Sequence, residues 1–191
     1  MQGRLLVLLL IALISSACGT FKIPQYGLSA ENVIGLRKLG TGQKVNVGAF
    51  TGTPPGRNEI GCRGRGPVKT LDERPFEDYV RRALIDELRV AEALSDSAPV
   101  TLTGSLGKLD FSSTRGQWFM DMTITSSNGR SLAASIVYEY STGPAFSVTQ
   151  FGSQSTVDER ACAATAQAFP AAVQVLIGKF VHDPEFAALL K

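Results

Sequence analysis

The cysteines are the residues whose positions point most directly to chemistry. Cys18 follows a ten-residue apolar run, Leu5–Ile14, after three small residues, whereas Cys62 and Cys162 lie 100 positions apart in the rest of the chain. An even pair of cysteines behind an apolar leader is typical of exported proteins, in which oxidation joins them. We therefore expect a Cys62–Cys162 disulfide. The alternatives are a redox pair and two inert buried thiols, and no Cys-x-x-Cys motif supports a thioredoxin-like role.

A second group with potential chemistry lies in the segment Thr51–Lys69, which is rich in glycine and proline and is expected to form a long loop. Its arginines are Arg57, Arg63 and Arg65, and guanidinium groups bind phosphate and carboxylate groups in a bidentate geometry. These three are candidate contacts for an envelope ligand or partner. The alternative is a solvated loop that Cys62 ties down. No Gly-Lys-Ser/Thr follows, so the segment lacks the spacing of a nucleotide-binding loop.

Groups suited to catalysis are few. His182 is the only histidine, it lies beside Asp183, and no Gly-x-Ser-x-Gly motif supplies a nucleophile for it. A surface or capping role is therefore expected for His182. One histidine and a disulfide leave no recognisable ligand set, so the sequence predicts no metal site and no cofactor.

Carboxylates offer the alternative of an enzyme that acts on cell-wall glycan, since a pair of them can serve as acid and base. Two pairs lie where helices are expected to begin, a position that favours negative charge for structural reasons alone. Two more acidic residues lie on predicted strands. The pairs at the expected helix starts are Asp72/Glu73 and Asp158/Glu159, and the residues on predicted strands are Asp110 and Asp121.

The N-terminus has the pattern of a signal peptide over residues 1–17. Arg4 supplies a positive charge, Leu5–Ile14 form the apolar core, and the small residues Ser15, Ser16 and Ala17 precede Cys18. Ten helical residues cover about 15 Å, half of a bilayer's hydrocarbon layer, so this run is too short to span a membrane. The sequence therefore predicts export.

Composition limits the remaining 174 residues to one domain with a full hydrophobic core. Without Arg4 the chain has 18 basic and 17 acidic side chains, which excludes the clustered basic excess of a nucleic-acid binder. No second apolar run of membrane length is expected. We predict a tether over residues 18–30 and a single α+β domain over residues 31–191.

Periodic apolar positions indicate the main elements of that domain. The pattern predicts a short helix over Glu31–Leu39, a strand over Lys44–Phe50 and an amphipathic helix over Pro75–Leu94. Three antiparallel strands follow, with a bulge near Gly107, and then a helix that ends near Val181. A terminal helix should dock Phe186, Leu189 and Leu190 on the core.

The register of the last two strands follows from burial. A three-residue loop with Gly129 in the left-handed conformation pairs Ile124 with Leu132 and Trp118 with Tyr138, so that both apolar rows share one face. A two-residue Asn128-Gly129 turn would place the rows on opposite faces. The predicted fold is a four-stranded, mostly antiparallel sheet with two main helices packed on one face.

The segment Ile14-Ser15-Ser16-Ala17-Cys18 resembles the lipobox of bacterial lipoproteins. That resemblance implies cleavage before Cys18 and attachment of acyl chains such as palmitate, which together hold a protein on the membrane. Gly19, in place of the Asp that retains some lipoproteins at the inner membrane, implies the periplasmic face of the outer membrane. The alternative is an ordinary signal peptide that releases a soluble periplasmic protein.

The chain as a whole resembles small, largely uncharacterised proteobacterial lipoproteins. The resemblance rests on the lipobox-like start, the Phe-Glu-Asp-Tyr-Val helix, Ser-Ser-Asn-Gly in a hairpin and a late Ala-Cys helix. The order of elements is similar to that of envelope-assembly and transport-auxiliary lipoproteins, including the curli-secretion type. This implies a non-catalytic lipoprotein that binds an envelope protein complex or glycolipid through the basic loop or a sheet edge. A glycan enzyme and a purely structural envelope component are the alternatives.

Overall fold

The computed structural model describes residues 19–39, 42–142 and 154–191, which form two sheets and four helices. The strands are β1 (Phe21–Ile23), β2 (Val45–Gly52), β3 (Glu59–Cys62), β4 (Gly66–Thr70), β5 (Val100–Ser112), β6 (Gln117–Ser126) and β7 (Ser131–Glu139). The helices are α1 (Ala30–Leu39), α2 (Phe76–Val90), α3 (Gln154–Val181) and α4 (Phe186–Leu189). The predicted signal peptide and Cys18 lie outside the described residues.

The larger sheet confirms the predicted fold class. Its strand order is β2-β5-β6-β7, in which β2 and β5 are parallel and the other pairs are antiparallel. The parallel pair needs a crossover, and α2 lies within that connection. Helices α2 and α3 pack against one face of this sheet, where Trp118, Met120, Met122 and Ile124 of β6 are buried.

Helix α2 is shorter than predicted at its C-terminal end. It ends at Val90 because Glu92 has a φ of 62° and the amide of Ala93 donates to the carbonyl of Leu88. A left-handed residue followed by this backward hydrogen bond is a common helix stop. Leu94, which fits the apolar stripe, instead forms a bridge with Val45 at the edge of β2.

The hairpin β6–β7 has the predicted register. Ile124 pairs with Leu132 and Trp118 with Tyr138, and Gly129 has a φ of 87°. The amide of Ser126 donates to the carbonyl of Arg130 and closes a three-residue loop. The bulge is also confirmed, since the β5–β6 register shifts between Leu106 and Leu109.

Two predictions for the N-terminal part are wrong. The segment 18–30 is not a tether after residue 20, because β1 pairs with β4 and Ile23 is completely buried. The segment Thr51–Lys69 is not one long loop, because it contains β3 and β4, which pair as a hairpin. Together these strands form a second sheet of order β1-β4-β3 that packs on α3. The apolar contacts of Ile23 and Val68 with the core drive this pairing.

The expectation of no further membrane-length apolar run is also wrong. Residues Thr156–Val181 of α3 are long and apolar enough to cross a membrane by length and composition, and half of the most apolar window is buried. A core helix passes the same test, and Phe169, Val173, Leu176 and Phe180 all lie in the core here. The terminal helix α4 docks as predicted, with Phe186, Leu189 and Leu190 buried.

Candidate functional site

The arginines of the predicted basic loop do not share a cleft. Arg63 opens the β3–β4 turn with a φ of 48°, and its Nη1 lies 2.6 Å from Oδ1 of Asp158 on α3. The same guanidinium donates to the hydroxyl and the carbonyl oxygen of Ser113 at 2.9 and 3.0 Å. Arg63 thus joins the β3–β4 turn, the β5–β6 turn and α3, which is a structural role.

Arg57 is also engaged within the fold, whereas Arg65 is not. Arg57 donates to the backbone carbonyls of Leu109 at 3.0 Å and Glu59 at 3.3 Å. The side chain of Arg65, at the end of the β3–β4 turn, has no ion-pair partner among residues 19–39, 42–142 and 154–191. Of the three candidate contacts, Arg65 is therefore the one whose charge is available at this turn.

Cys62 and Cys162 are joined in a disulfide with a Cα–Cα distance of 5.9 Å. Cys62 ends β3 and Cys162 lies on α3, and both are buried. The bond therefore links the smaller sheet to the helix that packs on the larger one. It lies next to Arg63, so a covalent bond and an ion pair fix the same turn to α3.

The described chain begins directly at this turn. A Cβ atom added to Gly66 would lie 1.6 Å from the carbonyl oxygen of Gly19, and one added to Gly19 would lie 3.8 Å from the carbonyl oxygen of Arg65. Gly66 has a φ of 131°, so both the conformation and the close approach require glycine. Gly19, the residue that follows Cys18 in the sequence, therefore lies beside the β3–β4 turn.

The carboxylates proposed for glycan chemistry lie on several different elements. Asp110 and Asp121 lie on neighbouring strands, and Oδ1 of Asp110 accepts a hydrogen bond from the amide of Phe111. Asp72 binds Nη1 of Arg82 at 2.7 Å. Hydrogen bonds from Lys22 and Lys69 hold the pKa of Glu73 at about 2. Asp158 binds Arg63, so Asp72, Glu73 and Asp158 each take part in an ion pair with a basic side chain.

His182 lies at the end of α3, next to a surface cleft. Its Nδ1 lies 2.8 Å from the carbonyl oxygen of Gly178, and its Nε2 lies 3.8 Å from the exposed carboxylate of Glu31. The cleft has a volume of about 630 Å³ and is lined in part by Asn32, Gly178 and His182. The described residues include no group of three or more His, Cys, Asp or Glu side chains that could hold a metal ion.

A buried carboxyl group that the sequence analysis missed lies on α2, where it contacts the N-terminal segment. Glu87 of α2 is completely buried, and its Oε1 accepts hydrogen bonds from the hydroxyl of Tyr26, the amide of Ser29 and the side-chain amide of Asn32. Its Oε2 has no hydrogen-bond partner among the described residues. Burial raises the pKa of Glu87, and the three hydrogen bonds oppose that rise.

This arrangement fastens the N-terminal segment to the helices. Asn32 also donates to the carbonyl of Gln174 at 2.9 Å, and Tyr79 donates to the carbonyl of Pro24 at 2.9 Å. Burial raises the pKa of Tyr26 above its usual range, and Glu87 adds to that rise. One sequence signal was available, since Glu87 lies three residues after Leu84 and so falls within the apolar stripe of α2.

Strand β7 is an edge strand of the larger sheet, with no strand beyond it among the described residues. Hydrogen bonds from Ser126 N to Arg130 O and from Tyr140 N to Gly116 O turn the backbone groups of even-numbered β7 residues toward β6. The odd-numbered residues from Ser131 to Glu139 therefore direct their N–H and C=O groups outward. No other strand pairs with them among the described residues, and Val137 is 58% exposed.

The opposite edge of the sheet is protected. Arg81 of α2 donates to the carbonyls of Gly48 at 2.6 Å and Val47 at 3.0 Å, which lie on β2. Val45, also on β2, donates to the carbonyl of Ala93 and accepts from the amide of Ser95, which both lie between α2 and β5. Exposed edge strands can pair with a strand of another chain, and of the two edges of the larger sheet β7 is the one whose outward backbone groups have no strand partner among the described residues.

Fold and disulfide together define a disulfide-closed α+β protein. No family model and no curated protein matches the sequence. The fold is similar to that of a crystal structure of a protein from Xanthomonas campestris that carries the family model DUF330. The TM-score is 0.49 and the sequence identity 10%, over 85% of this chain and 95% of that chain.

Proposed function

We propose that this chain is a membrane-anchored, non-catalytic lipoprotein that faces the periplasm from the outer membrane and binds an envelope protein complex. The division of the three cysteines is the observation that supports this most. Two form a buried disulfide, as suits an oxidising compartment. The third is the last residue of the lipobox-like segment and directly precedes the folded domain in the sequence, so that acylation there would hold the domain on the membrane.

The edge strand β7 is the better candidate for the partner contact. The basic loop is less suitable, because Arg57 and Arg63 already bind groups within the fold. Strand addition at an edge uses backbone hydrogen bonds from the partner. It therefore favours a protein partner over a glycolipid.

A proline at position 137 tests the edge contact. Val137→Pro removes an outward N–H group without removing a β6–β7 hydrogen bond, and an edge strand accepts proline at such a position. Val137→Thr is the matched control, because it keeps the N–H group and changes the side chain by a similar amount. The measurement is the partner that is cross-linked to each full-length variant in intact envelopes and identified by mass spectrometry.

We expect the partner to be recovered with wild type and Val137→Thr and to be lost with Val137→Pro, while urea denaturation gives all three a similar stability. Equal recovery with Val137→Pro would contradict the edge contact. Release of soluble fragments when the purified protein is incubated with peptidoglycan would instead favour the glycan enzyme.

Lipidation is tested on the intact mass of the protein extracted from envelopes. We expect acyl chains on an N-terminal Cys18, and two further thiols that react with an alkylating agent only after reduction. A chain that begins at Cys18 without acyl groups would make it a soluble periplasmic protein.

A further inference from the structure

We propose that the β3–β4 turn, together with the neighbouring β5–β6 turn, rests on the phosphate headgroups of the leaflet that holds the anchor. This rests on the proposed acylation of Cys18. The two turns, Arg63–Arg65 and Ser113–Gly116, are here called the anchor end. The partner is a lipid surface, and the side chains that meet its phosphates are Arg65 and Arg115.

The path of the chain supports this orientation first. Phe21 pairs with Val68 in the parallel β1–β4 ladder, so Gly19 lies beside Gly66, and the carbonyl oxygen of Gly19 reaches the position of a Gly66 side chain. Cys18 is three residue steps from Phe21, which span at most about 11 Å. Acyl chains on Cys18 would therefore keep the anchor end against the membrane, with no free tether between them.

The two turns that form the anchor end are held together as one surface. Arg63 donates to Oγ1 of Thr114 at 3.2 Å as well as to Ser113. Its charge is balanced by Asp158 at 2.6 Å. The position of the β5–β6 turn relative to the anchor is therefore set by the fold.

Charge gives the second argument. Arg115 is exposed in the β5–β6 turn, and neither its side chain nor that of Arg65 has an ion-pair partner in the described part of the chain. Of the acidic groups nearby, Asp158 binds Arg63, Glu139 accepts a hydrogen bond from Gln117 at 3.0 Å, and Glu159 is exposed on α3. A guanidinium group can bind two oxygens of one phosphate in a bidentate geometry. Each arginine near an anionic leaflet also strengthens the electrostatic attraction to the membrane.

Photo-cross-linking to lipid tests the orientation. The full-length protein is extracted from envelopes and reconstituted into vesicles of phosphatidylethanolamine and phosphatidylglycerol, with a benzophenone amino acid at Thr114. The matched control carries it at Ser131, which is also exposed but lies at the other end of β6, about 30 Å away. We expect a mass increase of one phospholipid at Thr114 and none at Ser131.

A second arm tests the arginines while leaving the probe at Thr114. Arg65→Gln combined with Arg115→Gln should lower the cross-link yield severalfold, whereas Arg130→Gln, at the far end, should not change it. No cross-link at Thr114, equal cross-linking at Ser131, or a yield that the double variant leaves unchanged would each overturn the inference. The intact mass separates the two proposals. An acylated protein without the Thr114 cross-link overturns the orientation alone, and an unacylated protein overturns both.

Discussion

At the residue scale, two ionisable side chains whose structural role was not predicted from the sequence hold the fold together. Glu87 joins α2 to the N-terminal segment through three hydrogen bonds to one oxygen. Arg63 joins two turns to α3. Both sit in surroundings that penalise a charge without partners, so removing a partner costs more than a surface substitution does.

Glu87→Gln should remove part of the pH dependence of stability. Burial raises the pKa of Glu87 above 4.5, so the folded state binds this proton more tightly than the unfolded state. The free energy of unfolding therefore falls as the pH rises from about 4.5 through the raised pKa, and is highest below that window with respect to this group. Urea denaturation of both proteins across this range measures the difference. Glu159→Gln, which changes an exposed carboxyl group, should keep the wild-type profile, and an unchanged profile in Glu87→Gln would refute the assignment.

Arg63→Ala should destabilise the fold, whereas Arg65→Ala should not. The Arg63 and Asp158 side chains are 22% and 15% exposed, so loss of the arginine removes a largely buried ion pair together with the hydrogen bonds to Ser113 and should cost about 2 kcal/mol. Arg65 has no such partner, and a surface change of this kind stays within about 0.5 kcal/mol. Equal losses in chemical denaturation would mean that Arg63 has no special structural role.

At the element scale, the smaller sheet makes the segment from residue 21 onward part of the folded domain and not a tether. Its strands are three, four and five residues long, too short for alternation to separate them from loop in the sequence. β1 also pairs with a strand more than forty residues away, which local patterns do not reveal. By contrast, the long periodic runs of α2 and of the β6–β7 hairpin made their type and register predictable from the residues alone.

Ile23→Ala tests whether β1 belongs to the domain. Ile23 is completely buried, and truncation of a buried isoleucine costs about 2–5 kcal/mol. Leu28→Ala is the control, because Leu28 is 48% exposed and its truncation should cost much less. If both variants unfold at the same urea concentration as wild type, residues 21–23 act as a tether after all.

Gly129→Ala tests the turn that sets the hairpin register. The φ of 87° at Gly129 is a left-handed conformation that costs other residues about 1–2 kcal/mol. Gly61→Ala is the matched control, since an added Cβ there meets no atom within 4 Å. The measured quantity is the free energy of unfolding, and a Gly129 variant as stable as the Gly61 variant would argue against this turn.

At the scale of the whole molecule, the disulfide joins the two sheets through α3. It closes a loop of 100 residues, and the chain-entropy model gives such a cross-link up to about 4.7 kcal/mol. We expect Cys62→Ala combined with Cys162→Ala to lower the free energy of unfolding substantially, and a reducing agent to have the same effect on wild type but none on the double variant. A reducing agent that weakens the double variant equally would show that another mechanism operates.

The candidate site residues differ in how far the sequence alone could predict their state. The cysteine pair followed from counting, because oxidation needs only two available thiols in the right compartment. The sequence could not show that Arg57 and Arg63 bind groups within the fold. Their partners Leu109, Ser113 and Asp158 come from distant parts of the chain. For the same reason it could not show that Arg65 has no ion-pair partner among the described residues. Glu87 could have been predicted as a buried residue only if the apolar stripe of α2 were allowed to include a charged side chain.

The parallel pairing of β1 with β4 has a mechanical consequence for an acylated chain. A pull on the domain away from the membrane would act along β1 from its N-terminal end, so the β1–β4 hydrogen bonds would be loaded together in shear rather than opened one after another. The load would pass from the β3–β4 hairpin into α3 through the covalent Cys62–Cys162 link. Tension between an outer-membrane anchor and a bound partner would thus reach the core through hydrogen bonds loaded in shear and a covalent bond, so β1 would not separate from β4 one hydrogen bond at a time.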